Sequence, residues 1–171
     1  MTSSIRASAT TTIDRDVKTV FDHAADPARM DDWVVGVSGT RLVSGAGDAV
    51  GDVYEYDYTY GGRTTPMRVE LTAFDRPNRV AMRAEEGPFA FEGETTFAAD
   101  GDRTLVTNTI ETGSDGRFTT VMFTVFRPVM RWLMARRLGA ELGELKRLVE
   151  SETERQSASQ SETDSEAAPS A

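Results

Sequence analysis

Four tyrosines stand at alternate positions in the stretch VYEYDYTY, Val53 to Tyr60, with Glu55, Asp57 and Thr59 between them. A β-strand sends successive side chains to opposite faces, so Tyr54, Tyr56, Tyr58 and Tyr60 share one face and the acids take the other. Such a face is apolar over most of its area yet carries a line of hydroxyls, which suits the wall of a pocket for an organic molecule. Buried phenols each need a hydrogen-bond partner, and a partly hydrated cavity supplies one more easily than a dry core. Tyr60 adjoins the Gly61-Gly62 turn and is the tyrosine expected to reach water.

Other chemistry is sparse. The absence of cysteine excludes disulfides, thiolate nucleophiles and cysteine-bound zinc, and the single histidine, His23, excludes paired-histidine metal sites. His23 sits in FDHAADPA with no nucleophile-elbow glycine pattern beside it, and reads as a helix-surface residue. The acid pairs Asp31 and Asp32, Glu85 and Glu86, and Glu92 and Glu94 fall on expected turns or outer faces, where they are ordinary solvated carboxylates. SGAGDAVG, Ser44 to Gly51, lacks the lysine and the following helix of a phosphate loop and reads as a hairpin loop near a pocket mouth. No catalytic residue, metal or cofactor is assigned.

The net charge of −9 repels nucleic acid, and no lysine- and arginine-rich block offers an exception. Only Lys18 and Lys146 among the 19 basic residues are lysines, and an acidic, arginine-dominated surface is one that salt-adapted proteins carry. No apolar run is long enough to span a membrane, and the opening residues lack the apolar centre of a signal peptide, so a cytoplasmic location is expected.

Elements must hold the tyrosine face in place. Ile5 to Ile13 reads as a strand, followed by a helix with Val17, Val20, Phe21 and Ala24 at helical spacing and a second short helix behind Asp26 and Pro27, ending near Trp33. From Val34 to Thr112 the pattern has period two and is broken by glycine-, proline- and aspartate-rich turns, which predicts six further antiparallel strands. A long helix follows, with Met130, Met134, Leu138, Leu142, Leu145 and Val149 on one stripe and Arg131, Arg136, Arg137 and Glu144 on the other side. Pro128 is expected to open or kink it, leaving Phe118 to Phe126 as a separate apolar segment that gates the pocket, touches a membrane surface or packs under the sheet edge. The stripe must be buried against the concave face of the sheet. Residues 151–171 carry five acids, one arginine and no aromatic or branched aliphatic residue, and read as a disordered acidic tail behind a single domain over 1–150.

This order of elements, with VFDHAADPARMDDW, DRPNRV and GDRTLVTNT, resembles the START-like (SRPBCC) helix-grip superfamily and is most similar to its polyketide cyclase/dehydratase branch. The resemblance covers about Ile5 to Glu150. It implies an α+β helix-grip fold, in which an antiparallel seven-stranded curved sheet wraps a long C-terminal helix and two short helices follow the first strand. It also implies a cavity between sheet and helix for a small hydrophobic molecule, and no single activity.

Strand parity assigns the inner face. Tyr54, Tyr56, Tyr58, Met67, Val69, Leu71, Met82, Phe89, Phe91, Phe97, Asn108 and Ile110 point inward from the strands, and Trp33, Met122, Phe126, Met130 and Met134 join them from the helices as candidate ligand-binding residues. Three functions fit these residues. The leading one is binding or carrying of a small aromatic or lipid-like molecule; the others are a cofactor-independent cyclase or dehydratase, and a protein-interaction module with a filled core.

Overall fold

The computed structural model describes residues 3–86, 90–114 and 117–166, with side chains described over 4–84, 90–112 and 128–152. Strand β1 (Ser3–Ile13) leads to Asp16, whose carboxylate accepts from the Lys18 and Thr19 N–H groups and caps helix α1 (Val17–Ala24). Asp26 repeats the device on the Ala28 N–H, opening a 3₁₀ turn, Pro27–Arg29, that runs into α2 (Met30–Trp33). Short polar caps therefore end the strand and start both helices, as the Asp-rich sequence suggests.

Six strands follow as a meander: β2 (Val37–Ser44), β3 (Val53–Tyr60), β4 (Arg63–Asp75), β5 (Arg79–Glu86), β6 (Phe91–Asp100) and β7 (Arg103–Ser114). All neighbours are antiparallel, and the order β1-β7-β6-β5-β4-β3-β2 places the first strand beside the last. The two short helices carry the chain from one edge of the sheet to the other. Register irregularities in the β2-β3 and β4-β5 pairs supply the local twist that a curved sheet needs. On the outer face, charges pair across strands, as in Arg79 with Glu94 at 2.7 Å and Arg83 with Glu70 at 2.9 Å.

Helix α3 (Arg117–Glu166) lies against the sheet along β1. Leu138 is buried beneath it, and Leu142, Leu145 and Val149 share one core with Phe21, Ile13, Met67, Val69 and Leu71. Polar ties fix this half of the helix: Lys146 Nζ donates to the Thr12 carbonyl at 2.8 Å, and the Glu150 carboxylate accepts from the Asp14 N–H at 2.9 Å.

Three details differ from the sequence reading. Pro128 lies inside α3 and neither opens nor divides it, so Phe118 to Phe126 belongs to the same element. Met130 and Leu133 are exposed, since only the part of the stripe from Leu138 onward reaches the sheet. The helix also runs past Glu150 to Glu166, and Glu152 bonds to His23 and Arg29 at 2.8 and 3.0 Å.

Candidate functional site

Residues directly opposite across two strands share a face. The register sets Tyr54 against Val69, Tyr56 against Met67 and Tyr58 against Thr65, then Leu71 against Met82, Met82 against Gly93, Gly93 against Ile110 and Thr95 against Asn108. Trp33, Tyr54, Tyr56, Met67, Val69, Leu71 and Phe97 are buried, whereas Tyr58, Met82, Phe91, Asn108, Ile110 and Met134 are half-buried. Met130 stands apart from this group in solvent. Phe89 and the side chains of Met122 and Phe126 lie outside the described residues.

The tyrosines have separate fates. Tyr54 donates its hydroxyl to the Gly47 carbonyl at 2.6 Å, and burial pushes its phenol up to about 12. That bond anchors the loop between β2 and β3, which folds around the Asp52 carboxylate as it accepts the N–H groups of Ala46, Gly47 and Ala49. Gly45, at φ 105°, is required there because a Cβ would lie 1.8 Å from an Asp52 oxygen. The loop and α1 border a surface cleft of about 460 Å³ floored by Phe21, Phe74 and Tyr54 and rimmed by Asp22, Asp26, Asp48 and Arg76. Tyr60 is 70% exposed.

Tyr56 and Tyr58 meet a polar group that the sequence reading missed. Glu141 on α3 is only 4% exposed, and Arg137, one turn earlier, donates to it at 3.0 Å. Arg137 also donates to the Tyr58 hydroxyl at 2.5 Å, stacks over the Tyr58 ring at 5.1 Å and reaches the Val35 carbonyl. The Val35 N–H donates to Glu141 in turn, so the two side chains grip both polar groups of one residue in the link between α2 and β2. The assignment of Arg137 to the outer side of the helix is therefore corrected, since its long stem lets the guanidinium reach round to the tyrosines. The missed signal was local: Glu141 stands three residues after Leu138 and four before Leu145, at a core position, with an arginine four residues before it.

Burial raises Glu141 above the ordinary glutamate range, against the pull of Arg137. Burial likewise raises Tyr56, helped by the charges of Tyr58 and Glu141, and raises Tyr58 against the influence of Arg137. Among the described residues the Tyr56 hydroxyl makes no hydrogen bond and is not fully enclosed, whereas Trp33 Nε1 is enclosed and without a partner. The result is a buried carboxyl, a guanidinium and two phenols, able to orient an oxygen-bearing group and, in principle, to exchange a proton with it.

A raised acid pKa in the folded state means that the native protein holds the proton more tightly than the unfolded chain. Glu141 thus stabilises most at low pH, and its contribution is lost as pH rises from about 4.3 through the raised value. Glu141→Gln removes this titration, so urea unfolding across pH 4 to 8 should show the variant gaining on the wild type as pH increases.

His23 takes no part in this cluster. Its Nδ1 faces the Thr19 carbonyl at 2.9 Å and its Nε2 faces Glu152 at 2.8 Å, so it joins α1 to the C-terminal helix. Among the described residues no group of three or more histidines or acids could hold a metal ion.

A meander of antiparallel strands gripping a C-terminal helix, with aromatic and methionine side chains on its inner face, defines a helix-grip domain of the START type. The family model for "Polyketide cyclase / dehydrase and lipid transport" matches residues 4–150, and the chain belongs to that family. No curated protein matches the chain. Similar solved structures include the Zhui aromatase/cyclase from Streptomyces sp. R1128, at 15% identity over 86% of this chain and 94% of that one, with a TM-score of 0.68. A START superfamily protein from Mycobacterium smegmatis is 14% identical over 85% and 97% of the two chains, also at 0.68. TTHA0849 from Thermus thermophilus is 20% identical over 87% and 98%, again at 0.68. At these identities the likeness is one of fold.

Proposed function

We propose that the protein binds or carries a small hydrophobic molecule, aromatic or lipid-like, between the inner face of the sheet and α3, with its polar end held by Tyr56, Tyr58 and the Arg137-Glu141 pair. The observation that carries this reading is the hydroxyl of buried Tyr56, which lacks a partner among the described residues although it lies beside Tyr58 and Glu141. A phenol whose ring is buried while its oxygen makes no protein hydrogen bond has its donor and acceptor free for a ligand oxygen or a displaceable water. Half-buried Met82, Phe91 and Ile110 support the same reading, since a filled core would enclose them.

Native mass spectrometry of freshly purified protein, with extraction of any released molecule, tests it. A bound species of one chemical class is the expected result. In Tyr56→Phe, retention of an oxygen-bearing ligand should fall about 3- to 10-fold while the fold persists. A clean apo mass together with no uptake of an apolar fluorescent probe would overturn the proposal.

Glu141 favours a second reading, a cofactor-independent cyclase or dehydratase, because a carboxyl with a raised pKa beside two phenols can pass a proton. A turnover that Glu141→Gln abolishes without loss of binding would establish it; turnover unchanged in Glu141→Gln and Tyr56→Phe would remove it.

A further inference from the structure

The charges around Tyr56 narrow the class of ligand that the pocket would take. Among the described residues Arg137 is the cation that reaches the tyrosines, and each of its side-chain nitrogens already donates: Nε to Glu141, Nη1 to the Tyr58 hydroxyl and Nη2 to the Val35 carbonyl. The Glu141 carboxylate accepts in turn from Arg137 and from the Val35 N–H. The ion pair is therefore closed on itself and on the α2-β2 link, and its charges cancel. Beside it, the Tyr56 hydroxyl makes no hydrogen bond among the described residues and is not fully enclosed, so it is the polar atom of the group left open to a ligand.

The inner face of the sheet adds polarity without charge. The register sets Thr95 opposite Asn108, Asn108 opposite Ala9 and Ile110 opposite Ala7, so these strands offer a hydroxyl, an amide and methyl groups. Asp52, the other buried acid among the described residues, is held by the N–H groups of its own loop. Acids and arginines of the opposite parity pair with each other on the outer face. The interior also resists negative charge, since burial raises Glu141 even with a guanidinium beside it, and raises Tyr56.

Resting on the binding function proposed above, we infer that the pocket selects an uncharged ligand, one whose polar end is a ketone, quinone, ester or alcohol oxygen at Tyr56, and discriminates against carboxylates and amines with the same apolar body. A carboxylate there meets a guanidinium whose nitrogens are all engaged, with the Glu141 carboxylate close behind it. An ammonium has to share Glu141 with Arg137 and is repelled by Arg137. Either ion loses its water without gaining a counter-charge of its own, which is the costly way to bury a charge. A neutral oxygen needs one donor, and the Tyr56 O–H supplies it.

Displacement of N-phenyl-1-naphthylamine, a neutral probe that fluoresces in apolar sites, tests this on the full chain at mildly alkaline pH. The competitors share one apolar body: 2-acetylnaphthalene, 2-naphthoate and 2-naphthylmethylammonium. The ketone should compete at least about 10-fold better than either ion. In Glu141→Gln the guanidinium loses its counter-charge, and 2-naphthoate should gain at least about 10-fold on the ketone. Repulsion by the net charge of −9 changes by a single unit in that variant and does not produce such a gain. In Tyr56→Phe the ketone should lose its lead over 2-ethylnaphthalene, which has no polar end. Uptake of the probe with either ion competing as well as the ketone overturns the inference and leaves the pocket standing. An unchanged ratio of naphthoate to ketone in Glu141→Gln also overturns it, since the ion pair then does not set the choice. No uptake of the probe removes the pocket itself, and the inference with it.

Discussion

Replacing Phe21 by alanine should lower the free energy of unfolding by about 3–5 kcal/mol. The ring is 1% exposed and packs edge-on against Phe97 at 5.2 Å and Phe74 at 5.5 Å, joining α1 to two strands of the sheet. Alanine removes the burial of a large side chain and both ring contacts, and leaves a void that the rigid sheet fills poorly. Because Phe21 also floors the surface cleft, the truncation extends that cleft inward. Phe21→Leu keeps much of the volume and should cost less than half as much. Urea unfolding measures both: a lower midpoint with an unchanged slope is the expected signature, and a loss below about 1 kcal/mol in the alanine variant would contradict the packing described.

The second large effect belongs to Arg137. Arg137→Ala leaves the Glu141 carboxyl under the helix without its counter-charge, and breaking such a pair costs about 3–5 kcal/mol. The guanidinium is partly exposed, which places the expectation near the lower end. The variant should resist acid better than alkali, because losing Arg137 raises the Glu141 pKa further and the carboxyl is tolerated in its neutral form. Removing both charges, as Arg137→Met with Glu141→Leu, should recover most of the loss, since no charge remains buried and half-exposed Val35 can bond to water instead. A double-mutant cycle gives the coupling directly. Equal losses in the single and double variants would show that the pair acts through packing alone.

The two substitutions separate scaffold from site. Phe21 holds α1 on the sheet and takes no part in the hydrogen bonds that join Tyr58, Arg137 and Glu141, so partial truncation to leucine should leave ligand retention intact. Arg137 belongs to both, and Lys is a poor substitute because one ammonium cannot serve Tyr58, Glu141 and Val35 together.

Much of this protein was legible in its sequence because the signals are local. Alternation along VYEYDYTY and the strands after it fixed the inner faces, since side-chain direction in a strand follows from the backbone alone. Asp16 and Asp26 announced the helix starts, because a cap bonds to residues only two or three positions away. The turns set the meander, and the long apolar stripe required a helix packed on a sheet.

What lay beyond the sequence depended on where elements end in space. Met130 and Leu142 belong to the same series of four-residue steps, yet one is in solvent and the other is buried, because the helix has the sheet beneath it at Leu142 and not at Met130. Tyr54 and Tyr56 have the same parity, yet a loop carbonyl satisfies the first while the second has no partner among the described residues. Arg137 and Glu141 read as one more surface ion pair until the tertiary structure brings the helix across the α2-β2 link and against Tyr58. Sequence determined which way each side chain leaves its own backbone; only the packing of helix on sheet decided what it meets there, because periodicity carries no information about the distance to another element.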